Sequence, residues 1–438
     1  MRRKQLLRTF KGMLAILAMV LIFQGGAWAA SNYKVLYSFT GGADGNEFMW
    51  VTGEGNWFSS GLVTDQTGTF YGTTAAGGTY GYGVVFQLTP GSGGSWTETV
   101  LYSFTGGTDG AYPFAGVVFD TAGNLYGTTS GGGSGSCSNS YTSGCGVVFE
   151  LTPNLDGSWT EDVIYSFTGG ADGAQPEARL TFDASGNLYG TTNGGGKHLS
   201  SPCPYNPFGG QYDNGCGVVF ELSPNGDGTW TENVLHRFTG KWDGGPEVSP
   251  VIFDAAGNLY GTAQGGKYQG VAFKLTPSST GWTESILHNF TGGKDGGDPF
   301  SFTGLVFDAA GNVYGTTFWL PNFGGGTVFK LTPTATGRWK WSLVHSFGTA
   351  NAYHPVAGVI LDADGNVYGT ATSGGAYGSG VVFEVVPTTG GGWKYTVLHN
   401  FRNELSCPFS LMMGAGDTLY GSACYSDNGA GGIFEITP

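Results

Sequence analysis

Eight aromatic residues of this 438-residue chain stand where a ligand could meet them: Trp50, Trp57, Trp242 and Trp319, with Tyr141, Tyr205, Tyr212 and Tyr268. The four Trp depart from the spacing that governs most other aromatics of the chain. Exposed rings of this kind stack on sugar faces or anchor a protein partner; the plainer role for any one of them is packing within its own loop. Acids offer a second chemistry. Glu47, Glu54, Glu177, Glu247 and Asp298 also lie off the repeat or in connecting segments, and two carboxyls at the right separation suffice for glycoside cleavage. The chain has no Gly-x-Ser-x-Gly elbow, no His-Glu-x-x-His helix and no phosphate loop. No catalytic residue is therefore assigned, and binding is favoured over catalysis.

Other polar residues recur too regularly to be singled out. Asp120, Asp183, Asp254, Asp308 and Asp362 each open an Asp-x-x-Gly-Asn turn, where a carboxylate caps backbone N–H groups. Asp362 to Asn366 begins like a calcium loop, but position twelve would be Ser373 rather than Glu. Asp44, Asp109, Asp172 and Asp295 sit in Gly-Gly-x-Asp-Gly segments, with Asp243 in a variant, Gly240 to Gly244; a turn is the main reading there and cation binding the alternative. His236, His288, His345 and His399 share one repeat position, which suits packing between repeats and spreads them too widely for one ion. His198 and His354 break that pattern. The chain is read with no metal site and no cofactor, calcium being the weak exception.

These residues are carried by a repeat. Tyr71, Tyr126, Tyr189, Tyr260, Tyr314, Tyr368 and Tyr420 are separated by 55, 63, 71, 54, 54 and 52 residues. A period near 54 is in the range of propeller blades. Each unit reads as four short strands, such as Gly116 to Asp120, Leu125 to Thr129, Gly146 to Leu151 and Trp159 to Phe167, punctuated by Gly, Asn, Asp and Pro. Unbroken runs such as Val147-Val148-Phe149 suit strands buried on both faces, as in a sheet held between two neighbours. The expectation is an all-β, seven-bladed β-propeller of four-stranded antiparallel blades, with two small sandwiches as runner-up. Asn32 to Phe39 matches a fourth strand and Ile433 to Pro438 a third, so the N-terminal strand is expected to close the ring.

Three stretches give a family resemblance: Phe182-Asp183-Ala184-Ser185-Gly186-Asn187-Leu188-Tyr189-Gly190-Thr191-Thr192 and its copies, Gly146 to Pro153, and Val100 to Gly107. Together they resemble the GloVer tandem-repeat family of secreted bacterial proteins over nearly the whole chain past its leader. The resemblance implies the fold and supplies no catalytic residues.

Strand order sorts the loops. The Asp-x-x-Gly-Asn turns and third-to-fourth links are short and regular on one face. The second-to-third loops and the crossovers share the other face. That face carries the extra sequence: Asn46 to Ser60, Gly131 to Gly144, Gly194 to Gly215, and Phe318 to Pro321. A rigid scaffold with variable loops on one face is where binding usually resides.

Residues 1–29 read as a signal peptide, with a basic start, an apolar run from Met13 to Phe23 and a cut after Ala29; residues 30–438 form one domain. The leader holds five of the 18 basic residues and no acidic ones, so the remainder has 13 basic against 32 acidic residues, a net charge of −19. That excludes nucleic acid and anionic membrane as partners, and no second apolar segment would insert in a bilayer. Export favours disulfides. Six Cys allow 15 connectivities, among which sequence alone does not choose; they fall in three local pairs, Cys137 with Cys145, Cys203 with Cys216, and Cys407 with Cys424. The first two pairs each sit inside one insertion, which favours local bridging. The function expected is a secreted or cell-envelope binding module for an extracellular glycan or protein. A polysaccharide hydrolase or lyase, and a structural matrix protein, are the alternatives.

Overall fold

The computed structural model describes residues 31–46, 61–137, 143–196, 203, 215–246, 248–299, 304–318, 325–348 and 352–438. Among them the chain is all-β, with only two single-turn 3-10 segments. Seven four-stranded antiparallel sheets form the seven blades of a β-propeller. The second blade is typical: Val118–Phe119, Leu125–Thr129, Val147–Pro153 and Trp159–Ser166, in sheet order as in sequence order. The first strand is shorter than the five residues read from sequence, pairing only as Val118↔Tyr126 and Phe119↔Leu125.

The last blade is completed from the other end of the chain. Leu405–Met413, Leu419–Ser426 and Gly432–Thr437 are joined by Asn32–Ser38, which pairs antiparallel from Asn32↔Thr437 to Ser38↔Gly432. The N-terminal strand thus closes the ring as its sequence match to a fourth strand implied.

Repeated residues have specific partners. In the second strand, Tyr-Gly-Thr places a glycine against the Phe of the third strand: a Cβ on Gly127 would sit 2.5 Å from the Phe149 ring, and one on Gly190 2.5 Å from Phe220. The strand therefore needs Gly for space rather than for conformational freedom. Gly127→Ala should cost about 1–3 kcal/mol through overpacking, whereas Gly226→Ala, where nothing lies within 4 Å, should be nearly neutral. Urea unfolding of the two variants checks this.

The Thr of the same motif reaches into the next blade. Thr73 Oγ1 donates to the Ala115 carbonyl at 2.9 Å, Thr316 Oγ1 to Ala357 at 2.9 Å and Thr370 Oγ1 to Phe409 at 3.2 Å. The Tyr is wedged between blades as well: Tyr189 meets Phe253 edge-on at 4.8 Å and Trp282 at 6.5 Å, both from the following blade. Trp159, Trp230, Trp339 and Trp393 repeat that contact with Tyr71, Tyr126, Tyr260 and Tyr314. The recurring Trp thus pack one blade on the last.

All three local Cys pairs form disulfides, Cys137–Cys145, Cys203–Cys216 and Cys407–Cys424, and no free Cys remains. No described helix is long and apolar enough to cross a membrane.

Candidate functional site

The two kinds of repeated Asp are turn caps. Asp120 Oδ1 accepts from the N–H groups of Ala122 and Asn124, and its Oδ2 from Asn124 Nδ2; Gly123 supplies the left-handed residue the turn needs, at φ 94°. Asp362 is engaged in the same way by Asp364 and Asn366. In the Gly-Gly-x-Asp-Gly segments, Asp109 Oδ2 accepts from the Thr105 N–H at 2.7 Å and from the Tyr102 hydroxyl at 3.1 Å.

That second Asp belongs to a polar junction between blades. The fourth strand of the neighbouring blade brings up a glutamate: Glu98 faces Tyr37 and Asp44, Glu161 faces Tyr102 and Asp109, and Glu232 faces Tyr165 and Asp172. Burial, reinforced by the nearby Asp charge, pushes all three carboxyls up to about 7. From the fifth blade onward the Glu is replaced by an aromatic. His345 stacks on Tyr395 at 4.0 Å and His399 on Tyr33 at 3.9 Å, and burial lowers both imidazoles to about 4. His345 and His399 are therefore packing groups at separate junctions.

The insertion-bearing face is assembled differently. Each crossover runs beside the end of its own blade's second strand, through bridges such as Ala111↔Gly131 and Ala174↔Gly194. Six crossovers place one residue before a Pro with positive φ: Tyr112 at 58°, Gln175 at 56°, Gly245 at 83°, Asp298 at 50°, His354 at 62° and Cys407 at 60°. Residues preceding Pro ordinarily stay extended, and a non-Gly residue held left-handed costs about 1–3 kcal/mol. A double clamp holds four of them, and the Cys407 N–H is tied to the Ser379 carbonyl at 2.9 Å. The Gln175 N–H donates to the Cys145 carbonyl in the preceding blade's loop at 2.8 Å, and the Gln175 carbonyl accepts from the Asn193 N–H at 3.1 Å. Tyr112, Asp298 and His354 are fixed by equivalent pairs of bonds. The backbone repeats while the side chain changes from blade to blade.

Around this ring lie groups able to bind. His354 stacks on Phe318 at 4.5 Å. Tyr112 meets Tyr82 edge-on at 5.7 Å. Glu177 follows Gln175 by two residues; burial pushes its carboxyl up to about 8, against the bond that Asn193 Nδ2 donates to it at 2.6 Å. Trp242 is 63% exposed and Tyr268 44%, and Lys267 Nζ lies 5.2 Å from the Trp242 ring and 5.0 Å from the Tyr268 ring. One ammonium thus ties two exposed rings from neighbouring segments into a single aromatic patch.

Of the aromatic candidates, Trp242 and Tyr268 are brought together; Trp50, Trp57, Trp319, Tyr141, Tyr205 and Tyr212 lie outside the described residues, as do Glu47, Glu54, Glu247 and His198. Sequence reasoning singled out Asp298 and His354 of these left-handed positions, and Cys407 as a disulfide partner, and missed Tyr112, Gln175 and Gly245. The signal was there, as one x-Pro dipeptide per crossover: Tyr112-Pro113, Gln175-Pro176, Gly245-Pro246, Asp298-Pro299, His354-Pro355 and Cys407-Pro408.

Comparison with curated proteins finds no match. Among solved structures, a candidate 6-phosphogluconolactonase from Bacteroides uniformis is 12% identical, with a TM-score of 0.47 over 79% of this chain and 86% of that one. The PQQ-bound aldose sugar dehydrogenase of Streptomyces coelicolor is 12% identical, with a TM-score of 0.41 over 93% and 98%. The NanB sialidase of Streptococcus pneumoniae is 11% identical, with a TM-score of 0.40 over 92% and 70%. Likeness at this level assigns none of their activities here. The repeat itself is the firmer tie: residues 24–201 and 267–438 match the Gloeobacter/Verrucomicrobia repeat, and the chain belongs to that family.

Proposed function

We propose that the chain is an exported β-propeller binding module that takes an extracellular glycan or protein on its insertion-bearing face. One observation carries this reading: the same clamped, left-handed crossover position holds Tyr112, Gln175, Asp298 and His354 in four different blades. A structural position would repeat its residue as it repeats its backbone. Variation on a fixed frame is how a scaffold displays a recognition surface, and strain of this kind gathers at functional sites. The exposed Trp242–Lys267–Tyr268 patch supplies rings for sugar stacking or for a protein anchor. Three disulfides fit an oxidising compartment outside the cytosol.

A glycan array screened with the purified chain, with reducing sugar assayed in parallel, tests the proposal. Binding without sugar release, weakened about tenfold or more by Trp242→Ala, is the expected result. Binding that ignores both Trp242→Ala and Tyr268→Ala removes the patch from the site.

The second reading is a polysaccharide-cleaving enzyme, and Glu177 is the observation that favours it. A carboxyl raised to about 8 is protonated at neutral pH and can serve as a general acid. Sugar release abolished by Glu177→Gln would establish that reading in place of the first.

A further inference from the structure

The junction that begins at the outer strand of the third blade differs from the others. At its repeat position stands His236 rather than Tyr, and both acids of the junction are retained: Asp243 from the crossover turn and Glu284 from the outer strand of the fourth blade. Where Tyr37, Tyr102 and Tyr165 occupy this position, the hydroxyl bonds to the Asp at 3.0–3.2 Å. One junction on, His288 Nε2 bonds to Asp295 at 3.0 Å, with Trp341 in place of the Glu. His236 makes neither bond. Its Nε2 lies 3.7 Å from Asp243 Oδ2 and 3.7 Å from Glu284 Oε1.

Three ligand atoms, one nitrogen and two oxygens, therefore lie within 4.8 Å of one another. His236 Nε2 and Glu284 Oε1 are shut off from solvent and have no hydrogen-bond partner. Leaving such atoms unpaired is destabilising, which a cation between them would offset. Ligands at about 2.0–2.1 Å from a tetrahedral Zn²⁺ are about 3.3 Å apart, so a small inward movement of each side chain completes the set. Asp243 is already oriented: its Oδ2 accepts from the Thr239 N–H at 2.9 Å and its Oδ1 from the Thr239 hydroxyl at 2.6 Å. Outer bonds of this kind fix a carboxylate for coordination. The His236 ring is held edge-on by Phe238 at 4.7 Å.

We propose that His236 Nε2, Asp243 Oδ2 and Glu284 Oε1 form a binding site for one first-row divalent transition-metal ion of the Zn²⁺ class, seated between two blades. Imidazole selects for such ions over calcium or magnesium, and two carboxylates balance the dication. A fourth position is left for water or a ligand atom. All six Cys are in disulfides, so no thiolate competes with the site.

The test uses the full chain, stripped with EDTA, dialysed and titrated with Zn²⁺ by calorimetry, with bound metal counted by mass spectrometry. One Zn²⁺ per chain is expected, together with a rise in Tm on loading. Glu284→Gln, which keeps size and shape, should weaken binding about tenfold or more, as should His236→Ala. His288→Ala, at the neighbouring junction, should leave it unchanged. Loading with Co²⁺ should give visible ligand-field bands that vanish in His236→Ala. Absence of stoichiometric binding by the unaltered chain overturns the proposal. So does binding that survives both His236→Ala and Glu284→Gln, a result readable even if one variant is less stable, because the other keeps the fold.

Discussion

Removal of residues 30–40 is expected to lower the Tm of the chain by about 10 °C or more. The segment supplies the fourth strand of the last blade, and its side chains serve two blades at once. Leu36 and Phe39 are buried in a cluster with Leu62, Phe70 and Phe86 of the first blade and Ile433 of the last. Phe39 meets the Phe86 ring edge-on at 5.1 Å, and Tyr33 stacks on His399. Burial of Leu36, Phe39 and Tyr33 is worth about 2 kcal/mol each, or about 6 kcal/mol before the strand's hydrogen bonds are counted. The deletion also bares Gly432–Thr437 as an unpaired edge, which invites association. Phe39→Ala is the graded version, with an expected cost of about 3–5 kcal/mol. An unchanged melt in both variants would mean that the strand decorates the ring without closing it.

Stability is expected to fall between pH 6.5 and 8.5, and the triple variant Glu98→Gln, Glu161→Gln, Glu232→Gln is expected to flatten that fall and melt higher at pH 8. The sign follows from the raised carboxyls. Their folded values of about 7 lie above the ordinary carboxyl value of 4.5, so the folded state holds these protons more tightly. Their stabilising contribution is complete below the unfolded value and is lost as pH rises through about 7. His345 and His399, lowered to about 4, act oppositely: their contribution is present above the unfolded value of 6.5 and is lost as pH falls toward 4. The window above pH 6.5 therefore separates the raised glutamates from these imidazoles. Glu177 and Glu284, raised to about 8 and about 7, contribute alike in both proteins, so the difference in slope reports the three replaced residues. Because these carboxyls are partly open to solvent, each is discounted to about 1 kcal/mol, or about 3 kcal/mol for the three. Urea midpoints of both proteins at pH 6.5 and 8.5, with chelator present, measure the difference; equal slopes would clear the junction glutamates of any role.

The architecture was legible because it is written seven times. The Tyr-Gly-Thr period gives the blade count, the unbroken Val-Val-Phe runs give burial on both faces, and the match of Asn32 to Phe39 with a fourth strand gives the closure. Local chemistry inside a repeat was legible too, since an Asp four residues before an Asn in a Gly-containing turn has few other uses. What spans blades was harder to see. The left-handed ring depends on backbone bonds between a crossover and loops some thirty residues away, as with Gln175 and Cys145, and x-Pro alone predicts extended backbone. The His236–Asp243–Glu284 cluster joins three segments whose repeat positions, taken one at a time, read as packing, turn and strand. Only their coincidence at one junction sets them apart.

Ring closure also has a kinetic meaning. The pairing Asn32↔Thr437 joins residues about four hundred positions apart, the longest-range contact the fold contains among its described strand pairs. Loop-closure entropy grows only as the logarithm of that separation, so at equilibrium the clasp is little penalised. Rate is another matter, because contacts distant in sequence slow folding. A chain made from its N-terminus holds Asn32–Ser38 without its strand partner until Gly432–Thr437 has been made. The ring can close only once Gly432–Thr437 is available to pair with Asn32–Ser38.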